Sequence, residues 1–199
     1  RELPFPSTPG EVKLVFTGAI YHLNYDIFRS IIAAIDLLPG ANVKLHLYTA
    51  QPAADLVREG LTGPNVIIHP HLPPAEAVEV QRNADVLLIP FSFQPAATGI
   101  VRTSATAKLA DYLVTGRPVV AICHDDSFLG WYLRKFDCGV AVPSDAPAVI
   151  AGALRSIIDD PALRQRLRRN ALECARLEFD AGVAQRALLR DLGFRPRRA

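Results

Sequence analysis

The chain has 199 residues, enough for one domain with a full core, or one domain plus an extra helical element. Half of it is hydrophobic (50%), 21% is charged and the net charge is only +2, which excludes a disordered chain and gives no ground for a nucleic-acid partner. Its three cysteines, Cys123, Cys138 and Cys174, have no metal or redox spacing. The start, RELPFPSTPG, is not a secretory signal, and no apolar run reaches the ~18 residues of a membrane span, so a reducing, cytoplasmic setting is expected.

EVKLVFTG is a β-branched run ending at Gly18 and predicts a strand over 12–17. YDIFRSIIAAIDLL places Ile27, Phe28, Ile31, Ile32, Ile35 and Leu38 at helical spacing, closed by Pro39-Gly40. VKLHLY alternates as a second strand. A short helix over 53–59, a third strand in NVIIH and a helix in PPAEAVEVQRNA follow. DVLLIP is apolar throughout, as in a strand covered on both faces. FSFQPAATGIVR then reads as a loop. A helix beginning at Thr103 or Ser104 and closing at Gly116-Arg117-Pro118 comes next. RPVVAI is the fifth strand, SFLGWYLRKF a helix and GVAVP the sixth strand. Two consecutive helices over 146–179 and a last one at 181–192 precede the basic tail RPRRA.

Strands alternating with helices predict an α/β fold. The expected form is a Rossmann-like parallel sheet of about six strands with helices on both faces, plus C-terminal helices. The expected organisation is an extended lead-in over 1–11, the Rossmann-like domain over 12–179, and a C-terminal helix with basic tail over 180–199. There is no methionine, even at position 1, so the chain is expected to be part of a longer product.

Ligands of such sheets bind at the carboxyl ends of the strands, near the point where strand order reverses. The first strand is followed by FTGAIYHLN, which lacks G-x-G-x-x-G, and neither a P-loop nor a G-x-S-x-G elbow occurs. His69 and His71 form an H-x-H pair without clustered partners, so no metal is expected. Asp85 begins its strand instead of ending it, which is the wrong place for a receiver-type phosphoacceptor.

The helix start at Thr103 and Ser104 is more informative. The stretch between Asp85 and Asp111 has no acid but contains Arg102 and Lys108. A hydroxyl cap without a Glu or Gln three residues later leaves free amides at the positive end of the helix, an anion seat. Lys108 and Asp111 share a face at i, i+3. Asp111 would lie ~10 Å along the axis from Ser104, a span that fits a diphosphate and its ribose. The same residues also fit an ordinary helix cap with a solvated Lys–Asp pair, and the pattern alone leaves both readings open. Arg164, Arg166, Arg168, Arg169 and Arg176 face only Glu173 and Glu178, so that helix is expected to meet anionic membrane, a missing domain or solvent.

ADVLLIPF followed by TAKLADYLVTGRPVVA resembles the a-d-v-x-l-x-P-S and K-x-x-E-Y-x-A-x-G-x-P-V-v run of group 1 glycosyltransferases. FTGAIYHLNYDIFRSIIAAIDLLP, NVIIHPHLPPAEAVEVQRNADV and CGVAVPSDAPAVIAGALRSIIDDPALRQRLRRNA resemble further segments of the family in the same order, so the likeness covers about 12–179. The resemblance implies the C-terminal half of a two-domain GT-B enzyme, which binds a nucleotide diphosphate sugar and needs no metal or cofactor. The acceptor site would belong to a missing N-terminal domain, and the isolated chain would be inactive. By position, Lys108 would stabilise the donor phosphates and Asp111 would hold the ribose. Thr103 and Ser104, with Arg102 nearby, would receive the diphosphate, and Gly18 would let the first loop approach it. His71 and Leu72 would meet the base, and Thr98 and Gly99 would lie near the sugar. This sequence departs from the pattern in four ways: the first loop has no Lys or Arg, Asp111 stands for Glu, Thr103 stands where the first Glu of an E-x7-E pair would fall, and Pro70 stands where the third-strand loop usually has Gly. A non-catalytic nucleotide- or phosphate-binding module of the same fold is the alternative.

Overall fold

A computed structural model describes residues 4–192; the first three residues and the basic tail lie outside the described residues. Six strands form one parallel sheet: β1 (Val12–Thr17), β2 (Val43–Tyr48), β3 (Val66–His69), β4 (Val86–Pro90), β5 (Val119–Ile122) and β6 (Val140–Val142). Their order is β3-β2-β1-β4-β5-β6, so the direction of winding reverses between β1 and β4. The loops after those two strands turn to opposite faces and leave a crevice at their carboxyl ends.

The helices are α1 (Tyr25–Asp36), α2 (Ala53–Arg58), α3 (Pro74–Arg82), α4 (Pro95–Thr103), α5 (Ala107–Leu113), α6 (Phe128–Phe136), α7 (Pro147–Asp159), α8 (Pro161–Glu178) and α9 (Ala181–Asp191). Period-two alternation sends successive strand residues to opposite cores. Leu14, Phe16, Leu45, Leu88 and Ile122 meet Phe28 and Ile31 of α1 and Leu154 of α7. Val15, Leu87, Ile89 and Val119 meet Leu109, Tyr112 and Leu113 of α5, Leu133 of α6 and Ala171 of α8. Each fully buried aliphatic side chain contributes roughly 1.5–3 kcal/mol. β4 and β5 are buried at every position, which is why they carry no polar alternation.

The segment expected as a loop, 91–102, corrects the sequence reading. It contains α4, which begins with Pro95 at its first position after an extended Gln94. Gly99 and the β-branched Ile100, Val101 and Thr103 are weak helix formers. Burial of Ala97 and Val101, four apart on one face, supplies what propensity lacks. The helix expected to start at Thr103 or Ser104 therefore begins at Ala107. Ser104 and Thr106 are both extended, and the Thr106 side chain makes no capping bond.

Asp85 sits at the opposite, amino end of the sheet, where it has a structural role. Its carboxylate accepts from the backbone N–H of Ser7 at 2.7 Å and of Lys13 at 2.8 Å. Arg117 donates to the carbonyls of Arg82 at 2.8 Å and Pro4 at 2.9 Å, and the Arg164 guanidinium stands 3.8 Å from the Phe5 ring centroid. Residues 4–8 are thereby strapped onto the domain. The basic run of α8 is partly committed too. Arg164 caps the carbonyls of Ile157 and Ile158 at 2.7 Å, Arg166 pairs with Asp137 at 2.8 Å and Arg168 reaches the Gly116 carbonyl at 3.4 Å.

Candidate functional site

The crevice between β1 and β4 holds a cavity of about 330 Å³. Phe16 of β1, Ile89 and Pro90 of β4, and Ala97, Ile100 and Val101 of α4 give it apolar walls. Tyr21, Asn24, Ser104, Thr106 and Lys108 supply polar groups. Among the described lining residues Lys108, in the first turn of α5, is the Lys or Arg of the cavity.

Gly18 and Lys108, each expected near the donor phosphates from the family resemblance, lie side by side. Gly18 has φ +127°, and a Cβ built on it would lie 2.9 Å from Lys108 Nζ. The glycine is what lets the ammonium lie against the loop backbone. Lys108 Nζ also stands 5.2 Å from the Phe16 ring centroid, within cation–π range. It makes no hydrogen bond or ion pair among the described residues. Burial pushes its pKa below the usual lysine value, and the negative charge of Asp111 works in the opposite direction. A half-buried ammonium without a carboxylate contact, facing a cleft, has the chemistry to pair with an anion.

Asp111 lies one turn further along α5, and its side chain is exposed. The ~10 Å helical spacing from Ser104 does not apply, because residues 104–106 are not helical; from Ala107 the axial rise to Asp111 is ~6 Å. Arg102 is held away from the cavity lining by an ion pair with Asp126 at 2.9 Å. The hydroxyls of Thr98 and Thr103 donate back to the carbonyls of Gln94 at 3.2 Å and Gly99 at 3.5 Å, four residues earlier in each case. Thr103 ends a helix and does not cap one. Gly99 is exposed, and a Cβ there would meet nothing within 4 Å. His71 and Leu72 fall in the β3–α3 loop, outside the cavity lining.

Sequence reading missed Thr106, Asn24 and Tyr21 as lining residues. Thr106 was findable as the residue just before the first apolar-periodic turn of α5. It also missed a latch beneath the first loop. The Ser92 hydroxyl, fully buried, donates to the Asp26 carboxylate at 3.0 and 3.2 Å and accepts from the Gln94 N–H at 3.1 Å, tying α1 to the start of α4. The pair is 66 residues apart in sequence, and no local pattern announces it.

The H-x-H pair is split. His69 stacks on Tyr48 at 4.1 Å between centroids, and its Nε2 lies 2.9 Å from His46 Nδ1. His46 Nε2 in turn lies 3.3 Å from Glu11 Oε1. Burial lowers the pKa of both rings, against the pull of Glu11 on His46. Among the described residues no group of three or more His, Cys, Asp or Glu is placed to hold a metal, and no helix is long and apolar enough to cross a membrane.

No curated protein sequence matches the chain. Solved structures do. WaaG, a glycosyltransferase involved in lipopolysaccharide biosynthesis, is 20% identical with a TM-score of 0.63, over 92% of this chain and 47% of that one. The C-terminal domain of LpcC, a group 1 family glycosyl transferase from Francisella tularensis, is 14% identical with a TM-score of 0.63, over 87% of this chain and 88% of that one. HepE from Anabaena, in complex with UDP and glucose, is 15% identical with a TM-score of 0.69, over 92% of this chain and 48% of that one. At these identities the likeness is one of fold, that of a GT-B half. The chain spans about half the length of WaaG and HepE. The profile of the family described as glycosyl transferases group 1 matches residues 11–160, three quarters of the sequence and every strand of the sheet, and the chain belongs to that family.

Proposed function

We propose that the chain is the donor-binding half of a glycosyltransferase that moves a sugar from a nucleotide diphosphate sugar to an acceptor. The observation that carries this reading is the Lys108 ammonium, half-buried in the switch-point crevice against the bare backbone of Gly18 and without an ion pair among the described residues. The leaving group of such a reaction is a diphosphate, and a cation already in place where its charge develops stabilises the departure without reorganisation. Asp111, one turn along the same helix, would accept from ribose hydroxyls. The backbone at His71 and Leu72 would meet the base, and the sugar would lie toward Thr98 and Gly99. No metal enters this scheme. HepE, solved with UDP and glucose, makes UDP the first nucleotide to try. The acceptor site would come from a domain outside this chain. Any contact with anionic lipid would run through Arg169 and Arg176, which are exposed on α8.

A thermal-shift screen with UDP, GDP and ADP tests the reading, since a ligand that binds only the folded state raises the melting temperature by mass action. Stabilisation by one nucleotide, abolished in Lys108→Ala, is expected. Equal stabilisation of both proteins would overturn the role of Lys108. One observation favours a second reading, a nucleotide- or phosphate-binding module without transfer activity. Residues 19–24 contain no Lys or Arg, and Asp26 is held by Ser92, so a diphosphate would meet one lysine where family members offer more cations. A protein that binds the nucleotide but transfers no sugar when joined to its partner domain would be that module.

A further inference from the structure

We infer that Tyr112 is a positioning residue for the anion site, its phenol fixing the end of β1 so that Gly18 lies against Lys108. The inference rests on reading the crevice as a nucleoside-diphosphate site. It starts from a gap in the sheet. β1 pairs with β2 as far as Thr17, but with β4 only at Leu14 and Val15. Beyond Val15 the two central strands separate and the crevice opens. The Gly18 N–H points toward β2, donating to the Tyr48 carbonyl at 2.9 Å. By strand alternation the Thr17 N–H points the other way, toward β4, where it has no strand to meet.

The Tyr112 hydroxyl takes that place. It accepts from the Thr17 N–H at 3.1 Å and lies 3.2 Å from Thr17 Oγ1, and Gln81 of α3 donates to the same Oγ1 at 2.9 Å. Tyr112 is 0% exposed, and burial pushes its phenol pKa up to about 12, so the group remains a neutral hydroxyl. Tyr112 and Lys108 are four residues apart and share a face of α5. One face of this helix therefore grips three successive residues of the strand end. Lys108 lies over the Phe16 ring, Tyr112 bonds Thr17, and Lys108 again meets Gly18. Apolar packing of Leu109 and Leu113 holds α5 on the sheet but does not fix its position along β1, whereas a hydrogen bond to one backbone N–H does.

Tyr112→Phe keeps the ring and removes the acceptor. Leu113→Val, on the same helix, weakens packing without touching Thr17, and serves as the control for stability alone. Two quantities are measured on each folded protein: amide hydrogen exchange at Thr17 and the calorimetric affinity for UDP, GDP or ADP. In Tyr112→Phe the Thr17 amide should exchange at least about tenfold faster, with Leu14 and Val15 unchanged, and nucleotide affinity should fall about tenfold, the scale of a buried donor left unsatisfied. Leu113→Val should lower the melting temperature and leave affinity within about twofold. Unchanged Thr17 exchange in Tyr112→Phe, faster exchange with unchanged affinity, or an equal loss of affinity in Leu113→Val would each overturn the assignment. If the unaltered protein binds no nucleotide, the donor reading fails, while Thr17 exchange still decides whether the phenol fixes the strand end.

Discussion

Gly18→Ala should weaken diphosphate binding by moving Lys108, and a double-mutant cycle with Lys108→Ala measures that coupling. A Cβ at position 18 would lie 2.9 Å from Lys108 Nζ and 3.0 Å from its Cε, so the end of the lysine must swing out of the cleft. The backbone there has φ +127°, which alanine adopts at a cost of about 1–3 kcal/mol in stability. Affinity is a separate quantity. Each charge-assisted hydrogen bond from Lys108 to a phosphate contributes about 1.5–3 kcal/mol, so Lys108→Ala should raise Kd roughly 10- to 150-fold. Gly18→Ala alone should lose part of the same contact. Once Lys108 is absent, adding Gly18→Ala should weaken binding little further, giving a coupling energy of about 1 kcal/mol or more. Calorimetric titration of all four proteins, at a temperature where each is folded, supplies the cycle. Strictly additive losses would show that position 18 acts without Lys108. Unchanged affinity in Lys108→Ala would remove the lysine from the site.

Binding of a diphosphate should draw protons from solution at alkaline pH, because burial lowers the Lys108 pKa and an anion beside it restores the ammonium. Titrations in two buffers of different ionisation enthalpy should therefore differ in apparent heat, and affinity should fall as pH rises past the lowered pKa. Stability should drop as pH falls below 6.5. Both His46 and His69 have folded-state pKa values lowered from 6.5 by burial, so the unfolded chain takes up protons first and stability declines as pH falls through that range. Urea denaturation from pH 7.5 to pH 5 should show that decline, and His69→Gln should flatten it; an unchanged slope in the variant would contradict the assignment. Asp85→Ala should destabilise the fold by about 2–4 kcal/mol in the same assay. It leaves the Ser7 and Lys13 N–H groups without their acceptor and buried Arg117 without its counter-charge, whereas Asp85→Asn, which keeps one carbonyl oxygen, should cost less.

The sheet was legible because its strands are short apolar runs separated by helical periodicity, and burial on both faces leaves little polar residue pattern to confuse them. α4 was not legible. Pro95, Gly99 and four β-branched residues read as loop, and only the contacts of Ala97 and Val101 with the rest of the domain make them helical. That error placed the start of the next helix at Thr103 or Ser104 instead of Ala107. Gly18 and Lys108, each assigned to the donor diphosphate through the family resemblance, stand beside each other because the reversal of strand order brings the end of β1 against the first turn of α5. The tertiary bonds of the site, Ser92 to Asp26 and Tyr112 to Thr17, join residues 66 and 95 apart and leave no trace in local sequence.

A crystal structure of the chain with the nucleoside diphosphate that stabilises it best would test the central claim most directly. The diphosphate is predicted to lie between the Gly18 backbone and Lys108 Nζ, with the ribose hydroxyls toward Asp111. A diphosphate bound away from Lys108, for example against the Tyr48–His69 edge of the sheet, would contradict the account.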